Sequence, residues 1–179
     1  MCASIIKKYD DADCWIKNGL PHRIDGPAIV GKKKAIWVKN GYFHCNHGPA
    51  IILRNGDKEW WVEGKRHRSD GPACEYSDGS REWWVEGKRH RIDGPAIEYM
   101  DGTCEYWVDG VRHRIGGPAI IDSNRDREYW VNGVRHRTDG PAIEYANGTC
   151  EWWFNGKISR QYKIKPNFLL KLNITITKI

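Results

Sequence analysis

A seven-residue phrase, His-Arg-x-Asp-Gly-Pro-Ala or a near variant of it, begins at His22, His44, His67, His90, His113 and His136, so the chain repeats itself every 22 or 23 residues. A period this short leaves few folds open. A unit of that size cannot bury an apolar face alone and has to stack on its neighbours. The fold question therefore reduces to the conformation of one unit.

In the copy from His90 to Arg112, two runs of strand formers, Ala96 to Tyr99 and Cys104 to Val108, flank Asp101-Gly102. Such a pair tolerates the positive φ of a tight hairpin turn. The same place holds Asn55-Gly56, Asp78-Gly79 and Asn147-Gly148. A second pair recurs at Asn40-Gly41, Glu63-Gly64, Glu86-Gly87, Asp109-Gly110, Asn132-Gly133 and Asn155-Gly156. The chain is expected to reverse twice per unit. Pro27, Pro49, Pro72, Pro95, Pro118 and Pro141 each precede the first strand, where a missing N–H costs the ladder little. No stretch carries a helical period.

These features predict an all-β chain: a single-layer twisted antiparallel sheet of stacked β-hairpin repeats, solenoid-like, with a C-terminal strand cap. Six repeats of 22 or 23 residues span 22–158. Residues 1–21 read as an N-terminal segment and a partial capping repeat, because Cys14 to Pro21 match the second half of a unit; Met1 to Asp13 are expected to be loose. Over 159–179 the pattern stops. The alternation from Phe168 to Ile176 reads as a half-buried strand that caps the array or is offered to another subunit.

The six cysteines have no paired spacing, no charged-then-apolar leader precedes Tyr9, and no apolar run approaches the roughly 20 residues needed to cross a bilayer. The expected setting is intracellular, cytoplasmic or within a virion, with reduced thiols. The net charge of +6 hints at an acidic partner, although both signs are interleaved in every unit.

Stacking turns equivalent residues into columns. One holds Trp37, Trp61, Trp84, Trp107, Trp130 and Trp153; the position before it holds Ile36, Trp60, Trp83, Tyr106, Tyr129 and Trp152. Neighbouring strand residues face opposite sides. One column is therefore expected to form the core; the other, with Trp60, Trp83, Tyr106, Tyr129 and Trp152, is either structural too, covered by the returning chain, or a candidate exposed aromatic strip. Arg66, Arg89, Arg112 and Arg135 before each His, with Arg68, Arg91, Arg114 and Arg137 after it, make a candidate edge for a partner or an anion. The alternative for the same residues is internal pairing with Glu59, Glu82, Glu105, Glu128 and Glu151, or with Asp25, Asp70, Asp93 and Asp139.

Stacked units place successive His about 10 Å apart, too far to share a metal whose ligands must lie ~2 Å from it. Each His is instead expected to pack in its turn and donate to a backbone carbonyl. Every acid or base recurs in nearly every unit, whereas catalysis needs one asymmetric constellation. No catalytic residue, metal or cofactor is assigned.

At Trp84-Val85-Glu86-Gly87-Lys88-Arg89-His90 and Tyr99-Met100-Asp101-Gly102 the chain resembles MORN repeats. The likeness covers about residues 14–158. The family's His-Gly-x-Gly is replaced here by His-Arg-x-Asp-Gly-Pro-Ala, a divergent form similar to arrays of large DNA viruses, phages and bacteria. The resemblance implies a sheet of stacked hairpins used for scaffolding, dimerisation and sometimes phospholipid contact.

The function expected is a non-catalytic repeat scaffold for protein–protein interaction, within a viral particle or a host-directed complex. Its partner would be another protein, a second copy or a viral structural protein. The alternative is peripheral binding of anionic phospholipid through the basic edge; nucleic acid is not favoured. Departures from the repeat carry the asymmetry a specific partner would read: Lys32-Lys33-Lys34 in unit one, Cys45 and His47 in unit two, Gly116 and Asp122 to Asp126 in unit five.

Overall fold

The computed structural model describes residues 5–9 and 11–163, and these contain strands and turns but no helix. The chain divides into two compact units, Met1–Val111 and Arg112–Ile179. In the first, ten strands follow one another antiparallel: Ile5–Lys8, Ala12–Lys17, Ile29–Gly31, Lys34–Ile36, Ile51–Leu53, Lys58–Glu59, Cys74–Glu75, Arg81–Glu82, Ile97–Glu98 and Cys104–Glu105. In the second, the order is Ile120–Ile121, Arg127–Glu128, Ile143–Glu144, Thr149–Phe154 and Lys157–Lys163. Neither order returns to its first strand, so neither run of strands closes on itself as a barrel. The all-β sheet of successive hairpins is the fold the repeat predicts.

Each repeat folds as two hairpins rather than one. The first lies in the main sheet; the second is a separate short ribbon, such as Trp61–Val62 with Lys65–Arg66 or Trp130–Val131 with Val134–Arg135. The expected continuous strand from Cys104 to Val108 accordingly breaks at Tyr106, between Cys104–Glu105 and Trp107–Val108. At the break the chain changes partners. Trp83 donates its N–H to the carbonyl of Ala96, and its own carbonyl accepts from His90.

The two turns differ in kind. At Tyr99 to Thr103 the N–H of Gly102 bonds the Tyr99 carbonyl and only Gly102 has positive φ, at 87°, while the Asp101 carboxylate accepts the Thr103 N–H. This is a three-residue loop with a glycine bulge. In the short ribbons both loop residues have positive φ, as at Asn132 (51°) and Gly133 (79°), the two-residue turn whose twist matches the flanking strands.

The most buried column is also the smallest. Ala28, Ala50, Ala73, Ala96, Ala119 and Ala142 are each 0% exposed, beside Cys74, Ile97 and Ile143. Every Trp of both aromatic columns stays half-buried, which corrects the expectation of a tryptophan core. The rings are flanked by arginines that keep contact with water, while the alanines sit where strands are hydrogen-bonded on both sides; Ala96, for one, donates to Glu105 and accepts from Trp83.

The opening segment also differs from expectation. Ile5–Lys8 pairs with Ala12–Lys17, so this part of the opening segment is a strand and not loose. At the other end Lys157–Lys163 pairs with Thr149–Phe154, with a bulge between Trp152 and Trp153. The strand expected over 168–176 lies outside the described residues.

Candidate functional site

The arginines before each His build a ladder. The Arg66 guanidinium lies over Trp61 at 5.2 Å and over Trp84 at 5.3 Å; Arg89 lies over Trp84 at 5.0 Å and Trp107 at 5.3 Å. In the second unit Arg112 lies over Trp130 at 5.4 Å, and Arg135 over Trp130 and Trp153 at 5.1 and 5.2 Å. Each indole N–H in the row donates to the Glu two residues earlier: Trp61 to Glu59, Trp84 to Glu82, Trp107 to Glu105, Trp130 to Glu128, Trp153 to Glu151. The same Glu oxygen takes Arg66 at Glu59 and Arg135 at Glu128. Indole, carboxylate and guanidinium thus satisfy one another. Burial alone would lower the Arg66 pKa, but neighbouring Cys74 and Glu59 outweigh it and hold it above its usual value. Burial keeps the Cys74 thiol neutral, so Glu59 is the charge that acts near neutral pH.

One assignment shifts. Trp37 donates to Ala50 and accepts from His44, as Trp60 does with Ala73 and His67. It therefore belongs with Trp60, and Val38, 3% exposed, stands in the Trp61 column. The shortened turn of unit one lies between His22 and Trp37, so counting forward from the His slips by one residue.

The arginines after each His fill a second structure. Arg68 lies 4.0 Å above Trp60, Arg91 4.0 Å above Trp83, Arg137 3.9 Å above Tyr129 and Arg23 4.4 Å above Trp15. The far side of each guanidinium rests on a glycine of the Asp-Gly-Pro turn; a Cβ on Gly94 would come within 2.8 Å of Arg91. Nη1 of Arg68, Arg91, Arg114 and Arg137 donates to the carbonyl of Pro72, Pro95, Pro118 and Pro141, and Nε of Arg68, Arg91 and Arg137 to Asp70, Asp93 and Asp139. Arg23 Nε donates likewise to Asp25, and such hydrogen bonds hold the Asp25, Asp70 and Asp139 carboxyls below their usual pKa. The internal pairing weighed from sequence is thus present for both arginine sets.

The histidines do the reverse of what was expected. Nδ1 of His22, His44, His67, His90, His113 and His136 accepts the backbone N–H of the turn residue in the following short hairpin: Asn40, Glu63, Glu86, Asp109, Asn132 and Asn155. They tie hairpin to hairpin instead of packing in their own turns. That bond steadies a residue held at positive φ, which is costly for Glu63 and Glu86.

Between successive His-Arg loops the face opens into a recurrent groove. One copy, 540 Å³, has Trp60 and Val62 among its lining, with Cys45 to Pro49 on one side and His67 to Asp70 on the other. Its counterpart in the second unit, 440 Å³, has Tyr129 and Val131 between Arg114 to Gly117 and His136 to Asp139. A third, 450 Å³, contains Trp15, Lys17 and His22 to Asp25 beside Ile6. Of the candidate strip, Trp60 and Tyr129 therefore line grooves; Trp83 lines a separate hollow with Tyr76 and Arg81, Tyr106 is half-buried, and Trp152 meets Tyr162 edge-on at 5.6 Å. Exposed Ile24, Ile92 and Ile115 stand at the loop tips. Period alone gave no signal of the groove, because it arises from the spacing of loops.

Among the described residues no group of three or more His, Cys, Asp or Glu converges as metal ligands would, and no helix is long and apolar enough to cross a membrane. No protein-family model matches the chain, and no curated protein matches it.

Proposed function

We propose that this protein is a binding scaffold that engages another protein through the grooves between its His-Arg loops. The carrying observation is the recurrence of one groove at Trp15, Trp60 and Tyr129, each with an aromatic ring and charged turn residues in its lining. A half-buried ring in a shallow groove, with apolar and polar groups beside it, is the chemistry of a protein-recognition anchor. The acids and bases of each repeat are used in holding hairpins together, which leaves a role for the surface and none for a unique reactive centre. The wording of the repeat, similar to MORN arrays, supports the same reading. Membership of a viral particle rests on that resemblance alone.

Phospholipid stands second. The arginines nominated for it hold Glu, Trp and carbonyl groups, so a headgroup would have to displace those contacts. Capture experiments from the native source separate the readings. Val62→Asp and Val131→Asp, with folding verified by circular dichroism, are expected to abolish capture of a protein that the parent chain retains. Unchanged capture, together with salt-sensitive sedimentation on phosphoinositide vesicles, would overturn the proposal in favour of lipid.

A further inference from the structure

Of the six glycines that precede the repeat prolines, five carry a guanidinium: a Cβ on Gly26, Gly71, Gly94, Gly117 or Gly140 would meet an arginine side chain of its own loop. The sixth, Gly48, would meet nothing within 4 Å. In that repeat the arginine position is Cys45, while the ring (Trp37), the glycine (Gly48) and the proline carbonyl (Pro49) are all retained. We propose that this open slot over Trp37 receives an arginine side chain presented by a partner protein. The inference deepens the scaffold reading by naming what the partner offers.

The other slots act as templates. A planar cation over an indole, with a carbonyl at its edge, is the arrangement that Arg68 adopts on Trp60 and Pro72. Filled slots open to solvent, since the side chains of Arg23, Arg68, Arg91 and Arg137 keep 20–28% of their surface exposed. Carboxylates are not required at the two flanking places: in unit five these hold Gly116 and Ile121, and Arg114 still bonds the Pro118 carbonyl. At Cys45 the same places hold His47 and Ile52, so neither offers a carboxylate and the slot selects for a group able to stack, guanidinium over ammonium.

The test follows indole N–H resonances in the full chain, with Trp37 assigned through Trp37→Phe. Methylguanidinium, and then acetyl-Gly-Arg-Gly-amide, are expected to shift Trp37 saturably, with the lysine peptide at least about fivefold weaker. Cys45→Arg, which fills the slot from within, is expected to remove the response; Gly48→Val serves if that variant fails to fold. A Trp37 resonance that never moves, moves equally in the filled variant, or responds equally to the lysine peptide overturns the inference. Free arginine binding tighter than the peptide would assign the slot to a small molecule and also overturn it. Loss of partner capture in Val62→Asp, with Trp37 silent to guanidinium, sinks this inference and leaves the scaffold reading standing.

Discussion

Arg66 donates from both Nε and Nη2 to a single oxygen of Glu59, each at 3.1 Å, and the Trp61 indole N–H reaches the same oxygen at 2.9 Å. One unit earlier the three positions hold Ile36, Val38 and Phe43, and Phe43 packs edge-on against Trp61 at 5.3 Å. All three change together. A partly buried charge without its partner is costly, whereas an apolar set of similar volume is not. The Arg66→Ala or Glu59→Ala change alone is therefore expected to cost about 2 kcal/mol, while Glu59→Ile, Trp61→Val and Arg66→Phe combined stay within about 1 kcal/mol of the parent. Urea midpoints measure this, and a combined loss equal to the sum of the singles rejects it. Arg89, 3.5 Å from Glu82 with its Nε buried and unsatisfied, should cost less on truncation than Arg66.

The positive-φ turn residues offer a gain. Glu63 and Glu86 sit at 48° and 49°, where Asn132 and Asn155 occupy the same place in other repeats. Asn tolerates this region far better than Glu. Glu63→Asn is expected to stabilise by about 0.5–1 kcal/mol. Glu86→Asn should gain less, because the Glu86 carboxylate also pairs with Lys65 at 3.7 Å. Thermal melting of both variants decides the order; equal gains would mean that the Lys65 pair contributes nothing.

Period and turn chemistry made the hairpins legible before any coordinates. Asn-Gly and Asp-Gly pairs mark reversals directly, because few other residues accept those angles. The sites were less legible. Arg-Glu and Arg-Asp pairing was foreseeable from opposite charges in register, but an arginine lying over two indoles from successive repeats was not, since nothing in one unit's wording says which side of a ring its neighbour covers. The His role was inverted because the partner N–H lies 18 or 19 residues downstream, beyond any local turn. The Trp37 slip shows that one deleted residue shifts every column counted across it.

Glycines at two equivalent places should respond oppositely to one methyl group. Gly94→Ala forces a Cβ to within 2.8 Å of the Arg91 guanidinium, which must then leave its seat between the turn and Trp83; a cost of about 1–2 kcal/mol is expected. Gly48→Ala meets open space and should be neutral or slightly stabilising, as chain entropy falls in the unfolded state. Neither glycine has positive φ, so backbone strain does not confound the pair. Equal losses in chemical denaturation would show that the slot over Trp37 is filled.

Cys74 gives the fold an alkaline limit. Burial, opposed in part by Arg66, pushes its thiol from 9.0 up to about 12. The folded chain therefore holds a proton that the unfolded chain releases between those values. The stability linked to this group is complete below pH 9 and is lost as pH rises toward 12. Other repeats place Ile97 and Ile143 at this buried position, so Cys74→Ile removes the titration while keeping the apolar column. The variant's advantage in unfolding free energy should be constant up to pH 9 and then widen by about 1 kcal/mol per pH unit. Tyr76 is raised by burial and also by the Cys74 thiol beside it, so the widening reports the coupled Cys74–Tyr76 pair and not the thiol alone. A gap that stays flat to pH 11, or rapid alkylation of Cys74 in the folded protein at pH 8, would show that the thiol is not sealed from water as the structure places it.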